Sequence, residues 1–71
     1  MEREIFTLIG ETLYGLLWFQ PMAEYLDVPQ SSIYEWDAGI KEVPESVRNE
    51  LYKALKERGN TILMLIRELE N

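Results

Sequence analysis

The stretch "MAEYLDVPQSSIYEWDAG", residues Met22 to Gly39, spaces its small, apolar and tryptophan residues in a way that decides the fold. Ala23 falls where one helix must pass close to the next, and a larger side chain there pushes the two apart. Val28, just past a break at "DVP", plugs the gap between them. Ile33 takes the inward face of the second helix, and Trp36 follows one turn later. The spacing predicts two short helices, about Gln20–Leu26 with Met22, Ala23 and Leu26 inward, and about Gln30–Ala38. Ile40 follows just past Gly39, a natural C-terminal cap.

Two helices crossing at roughly 90–120° over a turn of 3–4 residues form a helix-turn-helix. Outward from it, glycine and proline divide the chain into further helical pieces, and no strand-like alternation persists. The first piece, Glu2 to Tyr14, carries Ile5, Leu8, Ile9, Thr12 and Leu13 on one stripe and ends at Gly15. "LLWFQP" connects it onward, with Pro21 in the first turn of the next helix. Pro44 and Glu45 open a fourth helix in which Val47, Leu51, Ala54 and Leu55 repeat at helical spacing. Gly59 reads as its C-terminal cap and Asn60 as the next N-cap, although a tolerated interruption is the other reading of that pair. A fifth helix then runs from Thr61 to Glu70. Expected is an all-α, five-helix bundle forming one domain over residues 1–71, with the helix-turn-helix at about 20–38.

The totals constrain this domain. A chain of 71 residues buries only about 60% of its unfolded surface, close to the lower limit for folding alone. It has no cysteine and no histidine, so neither a disulfide nor a structural zinc can supply stability. Tight helix packing or a second copy must do so. Thirteen acidic and seven basic residues give a formal charge of −6, which disfavours non-specific binding to polyanions. A few local cations can still outweigh a distant acidic face at physiological screening. The N-terminus lacks a basic start followed by an apolar run. The longest apolar run, Ile62 to Ile66, is far short of a membrane span of about 20 residues. A cytoplasmic location is expected.

"LYGLLW" (13–18), "MAEYLDVPQSSIYEWDAG" and "VPESVRNEL" (43–51) follow one another as in small lambda-repressor-like and Cro-like helix-turn-helix regulators, which this chain resembles. It looks most like short proteins of phages and mobile elements, including anti-CRISPR-associated repressors. The resemblance covers roughly Thr12 to Leu69. It implies a lambda-repressor-like bundle that binds a palindromic DNA operator as a dimer, usually to repress a promoter and often the protein's own. Three positions depart from the family pattern. Asp27 stands where the family usually has glycine in a left-handed backbone, at a cost of order 1 kcal/mol. Leu17 replaces a basic residue before Trp18, and Glu35 stands where arginine is frequent.

With Ile33 and Trp36 inward, Gln30, Ser31, Tyr34 and Glu35 face away, with Asp37 and Ala38 at the far end. The N-terminal part of such a helix enters the major groove. Gln30 can pair bidentately with adenine, Ser31 can pair with several bases, and Glu35 can accept from cytosine N4. Glu35 would act partly by rejecting wrong bases. Phosphate contacts are expected at the second helix's N-terminus beside Gln20, and at Lys41 and Arg48. Two or three such contacts per subunit predict weak non-specific binding and a shallow salt slope.

The last helix is too apolar for a surface element. Ile62, Leu65, Ile66 and Leu69 form one stripe able to cover the domain, while Leu63 and Met64 point elsewhere. Two apolar faces imply a second burial partner, so a homodimer interface is expected at Ile62, Leu63, Leu65, Ile66 and Leu69. Two-fold symmetry also suits half-sites about 34 Å apart. The alternative is a monomer whose terminal helix wraps the bundle.

No catalytic pair, acidic metal-binding loop or glycine-rich phosphate loop is present, so neither catalysis nor a cofactor or metal is expected. A second function class remains. The same scaffold could present Glu24, Asp27, Glu35 and Asp37 as a DNA-like acidic face to a basic protein partner, as an inhibitor of a nucleic-acid enzyme does.

Overall fold

The computed structural model describes all 71 residues and is entirely helical. Four helices follow in chain order: α1 (Arg3–Tyr14), α2 (Phe19–Leu26), α3 (Gln30–Asp37) and α4 (Glu45–Glu70). The all-α expectation holds, but the count is four rather than five. Gly59 and Asn60 lie inside α4, which runs unbroken for 26 residues. A break there would leave up to four carbonyls and four N–H groups unsatisfied, whereas a glycine in a helix costs only about 1 kcal/mol relative to alanine. Thr61 also donates its hydroxyl to the Glu57 carbonyl one turn back, across the glycine. No helix is long and apolar enough to cross a membrane.

Nine buried side chains make one core: Phe6, Leu13, Trp18, Met22, Ala23, Ile33, Trp36, Val47 and Leu51. Aromatic edges organise it. The Phe6 ring lies edge-on to Trp18 at 5.6 Å between centroids and to Trp36 at 6.3 Å. Trp18 in turn meets Phe19 edge-on at 4.5 Å. Such pairs contribute about 0.5–1.5 kcal/mol each beyond the area they bury. Phe6 therefore ties α1 to both the connection before α2 and the end of α3.

Helix α1 is turned relative to the face its apolar spacing suggested. Phe6, Gly10 and Leu13 are buried and Ile9 is partly so, while Ile5, Leu8 and Thr12 lie in solvent. The cause is Trp18. A β-carbon at position 10 would fall inside the indole ring, so only glycine lets the ring lie on the α1 backbone. Leu26, expected inward on α2, is partly buried at the core margin.

Helices α2 and α3 both end in hydrogen-bonded left-handed caps. After α2, Asp27 takes φ 57 and ψ 48, its N–H donates to the Glu24 carbonyl, and the Val28 N–H reaches back to Ala23. After α3, Gly39 takes φ 76, its N–H donates to Trp36, and the Ile40 N–H reaches Glu35. This is the six-to-one and five-to-two pairing that satisfies terminal carbonyls. In the first of these caps Val28 packs against the core margin, as its place in the sequence suggested. The three residues Asp27–Pro29 thus connect α2 to α3.

Two glycines in helices should respond in opposite directions. Gly10→Ala gains helix propensity but collides with Trp18, and is expected to lose about 1–3 kcal/mol in urea unfolding. Gly59→Ala meets nothing within 4 Å and is expected to gain about 1 kcal/mol. Equal gains at both positions would contradict this packing.

Candidate nucleic-acid interface

The outward side of α3 carries the residues that sequence spacing placed there. Ile33 is fully buried and Trp36 nearly so. On the opposite side Gln30 and Ser31 are exposed and Tyr34 is 58% exposed. No side chain caps the N-terminus of α3, which begins after Pro29. Within its first turn the Ser32 N–H donates back to the Pro29 carbonyl. Glu35 sits at the margin of this ridge, its side chain one-third exposed, with its carboxylate 3.6 Å from the Lys41 ammonium. Asp37 and Ala38 are half-buried.

Helix α2 brings a second glutamine to the same place. Gln20, in its first turn, and Gln30, opening α3, line one shallow depression together with Leu16, Leu17, Trp18 and Phe19. The N-terminus of α2 also lacks a side-chain cap. Spacing alone did not pair the glutamines, because their proximity depends on how α2 and α3 pack. It did not single out Leu16, and Leu17 stood out only through the family resemblance; both side chains stand almost wholly in solvent at the rim of that depression. Their position directly after Gly15, in a segment without helical register, was the available signal.

The three side chains expected to hold phosphates each have an acidic neighbour. Gln20 donates to Glu24 at 3.3 Å, Lys41 pairs with Glu35, and Arg48 lies 3.8 Å from Glu45 within the first turn of α4. All three are exposed, and exposed pairs of this kind are worth at most about 1 kcal/mol. They are therefore easily exchanged for a stronger anion. Arg3 is committed elsewhere: its guanidinium donates to the Asp37 carbonyl at 3.0 Å, and Thr7 donates to the Asp37 carboxylate. These bonds fasten α1 to the end of α3. Of the four carboxylates of the acidic face, three have partners within the chain: Asp37 accepts from Thr7, Glu35 pairs with Lys41 and Glu24 accepts from Gln20. Glu24 and Asp27 are exposed.

The five residues expected at a subunit interface, Ile62, Leu63, Leu65, Ile66 and Leu69, are all exposed, as is Met64. The terminal segment extends past the bundle and does not wrap it. Where α4 leaves the bundle, Arg58 donates to the Leu13 carbonyl at 2.9 Å, giving a cationic cap to the last turn of α1. Beside it the Tyr14 phenol is raised above its ordinary pKa, chiefly by burial and further by Tyr25, with Arg58 opposing. No cluster of three or more acidic side chains gathers to hold a metal ion. Comparison with known protein families, curated proteins and solved structures gives no match.

The Tyr14 environment has a pH signature. The folded chain holds this phenolic proton more tightly than the unfolded chain does. The stabilisation is therefore complete below about pH 10 and is lost as pH rises through the folded value. Tyr14→Phe is expected to flatten that part of the stability profile in urea titrations between pH 9 and 11 (roughly the phenol range). An unchanged slope would show that Tyr14 titrates as in the open chain.

Proposed function

We propose that the chain is a sequence-specific DNA-binding regulator, a repressor acting as a dimer, with α2–turn–α3 as a helix-turn-helix. The observation that carries this reading is the exposed ridge Gln30–Ser31–Tyr34, raised on the buried Ile33 and Trp36. A helix entering the major groove needs such a rigid row of hydrogen-bonding side chains at its N-terminal end. Gln30 offers adenine a bidentate pair, Ser31 bonds either donors or acceptors, and the Tyr34 hydroxyl reaches beyond them. Gln20, facing the same depression, can brace Gln30 or meet the adjoining phosphate. Glu35 contributes at the margin, where releasing Lys41 frees its carboxylate for a cytosine amino group and the ammonium for a phosphate. The resemblance to lambda-repressor-like and Cro-like regulators supports the same assignment.

This mode of binding depends little on charge. Each subunit offers Lys41, Arg48 and the α2 N-terminus, and their acidic neighbours oppose a polyanion. A subunit that neutralises about two phosphates loses affinity with salt at a slope near −2, and a pair of subunits near −4. Most of the specificity then comes from base edges.

A second reading keeps the scaffold and changes the partner. The net charge of −6, and the acidic neighbours of the cations around the ridge, favour a basic protein docking on the exposed Glu24 and Asp27.

Selection from random duplexes separates the two. The first reading expects enrichment of one motif with two-fold symmetry. It also expects Gln30→Ala and Tyr34→Ala each to weaken binding to the enriched duplex by about tenfold or more, with thermal stability unchanged. If no motif emerges while a basic protein co-purifies through Glu24 and Asp27, the second reading replaces the first.

A further inference from the structure

The terminal part of α4 carries a seam that begins inside the bundle and continues beyond it. Leu51, Leu55, Arg58, Ile62, Leu65 and Leu69 follow in alternating steps of four and three. That spacing keeps one face of a helix against a partner helix over its whole length. Leu51 is buried and Leu55 packs against the core. Arg58 spends its guanidinium on the Leu13 carbonyl. From Asn60 onward every residue is exposed. The seam is thus satisfied within the chain up to Arg58 and bare after it, although the pattern does not change. The molecule measures 47 Å along its long axis against 22 and 23 Å across it, and the ten residues Thr61–Glu70 account for about 15 Å of helix.

We propose that Ile62–Leu69 pairs antiparallel with the same segment of a second copy, around a two-fold axis between Leu65 and Ile66. Ile62 of one chain then faces Leu69 of the other. The pairing deepens the dimer named in the proposed function by fixing its orientation, and it does not depend on DNA binding.

Three observations select this occupant. The first is self-complementarity: the seam of an identical helix has the required spacing, and a two-fold contact uses one surface twice. The second is area. Ile62, Leu65, Ile66 and Leu69 are 46% to 87% exposed, and covering them on both chains buries on the order of 1,000 Å², the lower end for a specific interface. Leu63, expected at the interface from the sequence, and Met64 lie off this seam, one turn from Arg67, and stay outside the pairing. The third is charge. Glu68 and Glu70 stand at the tip, where the helix end is itself negative. A parallel pair brings both tips together, whereas the antiparallel pair sets each tip beside the base of the other arm and opposes the two dipoles.

The chain contains no cysteine, so introduced thiols report on the pairing without background. Ile62→Cys and Leu69→Cys proteins, mixed in equal amounts in a glutathione redox buffer, are expected to form the mixed 62–69 disulfide several-fold over either self-disulfide. Equal or greater 69–69 linkage would overturn the antiparallel arrangement. Sedimentation equilibrium of the unmodified chain is expected to show a monomer–dimer system with a Kd of order micromolar. Leu65→Glu should raise that Kd at least about tenfold with the near-ultraviolet dichroism of Trp18 and Trp36 unchanged. A chain that remains monomeric at millimolar concentration, or assembles beyond two copies, would overturn the pairing altogether. None of these readouts involves DNA, so they are separable from a failure of the DNA-binding reading.

Discussion

The contact of the Trp18 indole with the bare backbone at Gly10 sets the arrangement of the whole bundle. It fixes how α1 is rotated, and that rotation turns Phe6 inward, where its edges meet Trp18 and Trp36. Trp36 and Ile33 are thereby pinned from below, and α3 can present its other side to solvent without rocking. A small domain has few side chains with which to do this. One glycine that admits a large ring, and one phenylalanine between two tryptophans, replace the wider core of a longer chain.

Polar bonds then finish what the aromatic contacts begin. Arg3 and Thr7 hold the end of α3 to α1, and Arg58 holds the end of α1 to the middle of α4. The first tie leaves the start of α3 as its free end, which is the end the DNA-binding reading uses. The second marks where α4 stops serving the bundle. The domain therefore has two distinct outward features, a polar ridge on a short fixed helix and an apolar seam on a long projecting one. A reader of symmetric DNA needs both kinds of surface, one for the bases and one for its own copy.

Much of this was legible in the residues, for reasons that differ by element. Ala23, Val28, Ile33 and Trp36 gave correct burial because a tight turn couples their positions over a short distance. Gly39 marked its left-handed cap because few other residues tolerate that backbone, while the left-handed turn at Asp27 was implied by the family resemblance. The inward face of α1 was misjudged for the opposite reason. Five residues near helical spacing suggested one stripe, but Gly10 and Phe6 define another through a ring eight residues further along, and spacing within a helix carries no information about that ring. The Gly59–Asn60 pair resembled two caps because capping chemistry is local, while the continuity of α4 depends on the cost of leaving both new ends unsatisfied. On the candidate site, the exposure of Gln30, Ser31 and Tyr34 followed from the buried anchors. The Glu24 neighbour of Gln20, one turn along the same helix, was open to the same reasoning, whereas the neighbours of Lys41 and Asp37 were not, since those contacts reach beyond one helix.

The most direct test of the central claim, that the ridge on α3 is a DNA-reading surface held out by its buried anchors, is amide chemical-shift mapping. The ¹⁵N-labelled chain would be titrated with a duplex recovered by selection from random sequences. The account predicts that the largest changes fall at Gln20, Gln30, Ser31 and Tyr34, with Phe6, Met22 and Ile33 nearly still. Changes confined to Glu24, Asp27 and the terminal arm, or no change at saturating duplex, would contradict it.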